Sequence, residues 1–157
     1  MKIFFLSLGF GFFFLIIKTA VLGFFFPPYL IPDIILVLVF FLGVHLPSWK
    51  GVVASFILGY LADTFAGGII GISSFSLISI FLVLHLLSKK VDFNIIPLKV
   101  IGLVIAGIMN GLIMLILLKV TNSQIEVFNM LVLSNVLITA SVGPLLLFML
   151  DKVNREN

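Results

Sequence analysis

The groups able to do chemistry in this 157-residue chain are few: two histidines, six acids and no cysteine. Without cysteine there are no disulfides, thiolate nucleophiles or cysteine-held metals. A serine nucleophile would be Ser73, in Gly71-Ile72-Ser73-Ser74, a G-x-S pattern of the kind that intramembrane serine proteases use. Such a serine needs a histidine within hydrogen-bond reach. His85 follows on the same apolar run, about 18 Å along a helix, and His45 belongs near the opposite membrane face. Ser73 therefore reads as a polar helix start that caps a span. Aspartyl chemistry needs two carboxylates sharing a proton, but Asp63 is the only acid in its region and Asp33 opens a different helix. The paired-aspartate motifs of lipoprotein signal peptidases, with G-N-x-x-D-R, do not occur. One isolated aspartate does not hold magnesium, and two separated histidines are no zinc site. No enzyme activity, cofactor or metal is expected.

The elements that must carry these groups follow from composition. Hydrophobic residues make up 62% of the chain, charged residues 10%, and the mean hydropathy is +1.41. A soluble domain carries roughly 25% charge to cover its surface, so the pattern is that of an all-α integral membrane protein whose main partner is the lipid bilayer. The net charge of +3 is no nucleic-acid footprint, because the basic residues sit at the ends of apolar runs. A helical span needs roughly 20 apolar residues, with 17 to 25 seen. Charges and prolines divide the sequence into six candidates: 3–26, 33–46, 51–65, 73–88, 97–118 and 127–150. Asp63 is the only charge between Lys50 and Lys89, a stretch of about 57 Å as helix, enough for two crossings around Gly67-Gly68-Ile69-Ile70-Gly71. Cytoplasmic loops collect lysine and arginine. Six spans place Lys2, Lys50, Lys89, Lys90, Lys99, Lys152 and Arg155 on one side and only Lys18 and Lys119 on the other, so both termini are expected in the cytoplasm. No A-x-A cleavage pattern follows the first run, which reads as an uncleaved helix.

An ionisable group inside a span costs about 2.5–3.5 kcal/mol on insertion scales and usually has a partner. Lys18 is expected to pair with Asp63, or with Asp33; the alternative is that Lys18 snorkels outward while Asp63 reaches interfacial water. Asp33, after Pro32, is placed to cap the second helix. Asn110 and Asn135, inside the fifth and sixth spans, seek hydrogen bonds across helices, and Gly107-x-x-x-Gly111 is a small-residue face of the kind on which helices pack. Trp49 beside Lys50 reads as an interface anchor.

Two stretches together resemble one family. The first is Pro32-Asp33-Ile34-Ile35-Leu36; the second runs from Gly51 through Phe56, Gly59 and Asp63 to Gly67-Gly68-Ile69-Ile70-Gly71-Ile72. This is similar to the MreD family of small polytopic rod shape-determining proteins, with its P-D-L, G-x(n)-G-F-x-x-G-L-x-x-D and glycine-containing turn. The match covers residues 32–75. Ser55 stands where the family often has Gly, Ile34 where Leu is usual, and Gly68 where Pro is common, and the family's arginine-rich loop is reduced to Lys50. The resemblance implies a non-catalytic scaffold subunit of the cell-elongation machinery in the bacterial inner membrane. Its implied partners are MreC, MreB, RodA and a class B penicillin-binding protein. The family fold is similar to the S components of energy-coupling-factor transporters, which supplies the alternative of a small-molecule, vitamin-type binding subunit. A binding subunit should gather polar groups in an apolar cavity, and Asn110, Asn135 and the Ser73–Ser79 cluster are the groups available. For a scaffold, the single transmembrane helix of MreC is expected to dock on Gly107 and Gly111.

Overall fold

The computed structural model describes residues 2–18, 31–66, 69–91, 95–121 and 128–155; among them the chain forms six helices and no strand. These are α1 (Lys2–Ile16), α2 (Ile34–His45), α3 (Ser48–Ala66), α4 (Ile72–Ser88), α5 (Ile96–Thr121) and α6 (Phe128–Arg155). The turn at Ile17–Lys18, directly after α1, widens to π-helical geometry. Helix α3 begins before Gly51 because Pro47 supplies the carbonyl that receives the Gly51 N–H, at 3.1 Å. Proline suits that position, since the first turn of a helix has no use for its missing N–H.

Helix α2 is the centre of the bundle. Every residue from Ile34 to Gly43 is buried, as expected of a helix that is apolar on all sides. It packs against each of the other five, which surround it in the order α1, α3, α4, α5, α6. Leu36, Val39, Phe40 and Leu42 meet Leu58 of α3, Phe81 of α4 and Leu103 of α5 in one core. Large apolar residues also cover the outside. Trp49, Val53, Phe56 and Tyr60 run down one side of α3, and Ile101, Ile105, Ile108, Leu112 and Ile116 down one side of α5, all exposed. That arrangement suits a surrounding solvent as apolar as the core.

Lengths separate the helices. Among the described residues one stretch, Pro97–Leu117 in α5, is long and apolar enough to cross a membrane by itself, with a mean hydropathy of 2.6. Helix α2, at 12 residues, reaches only about 18 Å. Its first turn therefore lies beside the middle of α5 and α6 rather than beside their ends.

Candidate functional site: a polar cavity where α2 begins

Pro32 and Asp33 start α2. The Ile34 N–H donates to the Pro32 carbonyl at 3.0 Å, and Asp33 Oδ1 accepts the Leu36 N–H at 3.4 Å. Asp33 is thus the cap its position suggested. It also has two long-range partners. Its backbone N–H donates to Thr139 Oγ1 of α6 at 2.8 Å, and Asn110 Nδ2 of α5 donates to Asp33 Oδ2 at 3.3 Å. Asn110 Oδ1 in turn accepts the Ser76 hydroxyl of α4 at 2.6 Å. Four helices are joined by one chain of hydrogen bonds running Thr139, Asp33, Asn110, Ser76. Asn110 lies about 21 Å from the start of α5 and about 17 Å from its end, so the chain is deep in the bundle. Such partners stabilise buried amides and hydroxyls, since leaving one unmade costs about 1–3 kcal/mol.

Beside this chain is a cavity of about 170 Å³ bordered by Lys18, Asp33, Ser73 and Asn110, with Leu15 and Met114 among its apolar walls. The structure brings Lys18 to the same cavity as Asp33. The Asp63 carboxylate is engaged elsewhere. Asp63 is 4% exposed; its Oδ2 accepts the Gly71 N–H at 2.7 Å, and the Ser73 N–H points between its two oxygens at 3.1 and 3.2 Å. It therefore serves the amino end of α4, where the helix dipole favours a negative charge, although it stands near the carboxyl end of its own helix. None of these hydrogen bonds goes to Lys18. This corrects one expectation. Ser73 is not the cap of α4, because Gly71 holds that position without a side-chain bond and Asp63 does the capping from the preceding helix. Gly71 has φ +104°, a left-handed conformation that costs a residue with a Cβ about 1–2 kcal/mol.

The remaining motif glycines set the approach of α3 to α4. A Cβ added at Gly59 would run into the backbone of Ser74, and one at Gly51 into the Phe81 ring. Ser55, one turn from each, is fully buried, and its hydroxyl has no hydrogen-bond partner among the described residues. Phe56 points outward, 52% exposed, and stacks with Tyr60 at 6.5 Å between ring centroids. Gly59, Asp63 and Gly71 thus form one device, a tightly packed helix pair whose turn is tied by a carboxylate.

The other candidates are placed as follows. Gly107 and Gly111 are both buried, and Gly107 faces Val136 of α6. At Gly107, therefore, the chain's own α6 packs on the small-residue face. The Asn135 side chain and Gly68 lie outside the described residues. His45 Nδ1 is 3.0 Å from the Phe41 carbonyl, and His85 Nδ1 is 3.3 Å from the Gly43 carbonyl. Both histidines belong to the end of α2 remote from Ser73. Among the described residues no three of histidine, cysteine, aspartate and glutamate gather as a metal site. Thr139 was not singled out from sequence, and Ser76 only as one of the Ser73–Ser79 cluster. Their one signal there is a hydroxyl within an apolar run, which many packing serines share.

With both Asp63 oxygens accepting backbone N–H groups and Asp33 held by Leu36 and Asn110, the site has acceptors and donors in place but, among the described residues, no paired nucleophile and base. It can fix helices and can hydrate or hold a small polar group. No curated protein and no solved structure matches the chain. A family model described as rod shape-determining protein MreD matches residues 1–153, the stretch that contains all of these motif residues. This chain belongs to the MreD family.

Proposed function

We propose that the chain is a non-catalytic scaffold of the bacterial rod complex, embedded in the inner membrane as six helical segments with both termini in the cytoplasm. It binds MreC there and supports peptidoglycan synthesis beside MreB, RodA and a class B penicillin-binding protein. The family is one of membrane-associated shape-determining proteins, and its match over nearly the whole chain is the observation that carries this reading. Two features support it. The motif residues Asp33, Gly51, Gly59 and Asp63 are all used in capping or close packing, as a rigid platform requires. Lys50, Lys89, Lys90 and Lys99 lie near the ends of α3, α4 and α5 remote from Asp63, the asymmetry of a membrane protein with a cytoplasmic face. The test is co-purification of MreC with the tagged chain in detergent, together with cell shape after depletion. Stable MreC capture and rounded cells are the expected results. Rod-shaped growth without the chain would overturn the reading.

A second reading, a small-molecule binding subunit with the S-component fold, draws on the cavity that gathers Lys18, Asp33, Ser73 and Asn110. The variant Ala66→Phe, which narrows that cavity, separates the two. A scaffold keeps MreC capture and rod shape, whereas a binding subunit loses its function with the cavity.

A further inference from the structure

A second cavity, between α4 and α5, differs in chemistry from the first. It holds about 230 Å³ and its walls are apolar, with Ile80, Leu84 and Leu87 on one side and Leu98, Ile105 and Met109 on the other. Along α5 it runs from Leu98 to Met109, about 16 Å. One leaflet of hydrocarbon is about 15 Å deep, half of a core of about 30 Å. The groove therefore has the length of a single acyl chain in one leaflet. A transmembrane helix, about 10–12 Å across with its side chains, is too wide for a slot of this volume. A small polar solute would find no partner in it.

One end of the groove is charged. Lys89 and Lys90 stand between the lining residues Leu87 and Val91, and Lys99 follows the lining residue Leu98. Lys89 and Lys90 are exposed, and their turn is fixed by the Lys90 and Val91 N–H groups, which both donate to the Leu87 carbonyl at 2.9 Å. The sequence from Lys89 to Lys99 contains one acid, Asp92, so this edge keeps a net positive charge. The lysines flank the lining residues at this end, whereas no charged residue adjoins Ile80 or Met109 at the other.

We propose that the α4–α5 groove seats one acyl chain of an anionic phospholipid, with the headgroup phosphate against Lys89, Lys90 and Lys99. The proposal rests on the membrane placement given above. Basic residues at the cytoplasmic edge of an interhelical groove supply attraction that a zwitterionic headgroup does not share.

The chain has a single tryptophan, Trp49, which makes a site-resolved test possible. In a Trp49→Phe background, Leu87→Trp reports on the groove mouth. Leu112→Trp, at a side chain 55% exposed on α5, reports on ordinary lipid contact. Each full-length protein is placed in vesicles of equal phosphatidylglycerol and phosphatidylcholine, with bromine on the acyl chains of one lipid or the other. Brominated phosphatidylglycerol is expected to quench Leu87→Trp with an apparent affinity about fivefold above that of brominated phosphatidylcholine, the factor one well-placed lysine contributes. The two should be equal at Leu112→Trp. Adding Lys89→Gln, Lys90→Gln and Lys99→Gln should bring the groove ratio to one. A ratio of one in the unneutralised protein, or a preference that survives neutralisation, overturns the proposal. Quenching at Leu112→Trp but not at Leu87→Trp also overturns it, because the groove is then filled by protein. No quenching at either position sinks the membrane placement itself.

Discussion

Replacing Asp63 separates capping from ion pairing. In Asp63→Ala the N–H groups of Gly71 and Ser73, held at 2.7 and 3.1 Å, lose their acceptor. A hydrogen bond to a charged group contributes about 1.5–3 kcal/mol, and a charge at a helix amino end about 0.3–1 kcal/mol more. Gly71 is exposed and Ser73 half-buried, so part of this is recovered by other donors and acceptors. The expected loss is about 2–4 kcal/mol for Asp63→Ala. Asp63→Asn, whose amide accepts one N–H but presents a donor to the other, should lose about half as much. Lys18→Met, which keeps the apolar stem, should cost under about 0.5 kcal/mol, in the range of substitutions that break no named interaction. The assay is reversible unfolding of the purified protein in mixed detergent micelles, followed by helical circular dichroism. Equal losses in Lys18→Met and Asp63→Asn, with stability recovered in the swap Lys18→Asp with Asp63→Lys, would refute the capping account and establish an ion pair instead.

Four further outcomes follow from the packing. Gly51→Ala places a methyl group in the Phe81 ring and should destabilise by about 1–3 kcal/mol through overpacking; Phe81→Leu in the same chain should return at least about 1 kcal/mol, measured as a double-mutant cycle. Gly59→Val, directed at the Ser74 backbone, has no flexible neighbour to displace and should abolish accumulation in membranes on immunoblots. Ser55→Ala removes a buried hydroxyl without a partner and should raise unfolding stability by up to about 1 kcal/mol. Asn110→Leu breaks two bonds of the chain that joins Ser76 to Asp33 and should cost about 2–3 kcal/mol, whereas Ser76→Ala should cost about 1 kcal/mol in the same unfolding assay.

Much of this molecule is determined by its sequence alone. An apolar excess with 10% charge leaves helices as the economical way to satisfy the backbone, and Pro47, the Gly67-Gly68 pair and Lys89-Lys90 mark where α2, α3 and α4 stop. The helix at Ile34 is legible from Pro32-Asp33 because capping is local, spanning three residues. Which distant groups meet is a different matter. The Asp33 N–H and Thr139 are 106 positions apart, and their bond depends on how α2 and α6 are rotated about their own axes, which periodicity cannot supply when a helix is apolar on every face. The same holds for Gly107, whose small-residue spacing marks a packing face but not its occupant; the tertiary structure gives that place to Val136. Asp63 has its sequence signal in Gly71, yet only the close approach of α3 to α4 at Gly59 brings its carboxylate to the amino end of the next helix. Local hydrogen bonding and solvent preference are written residue by residue, whereas helix rotation and approach emerge from the packing of all six at once.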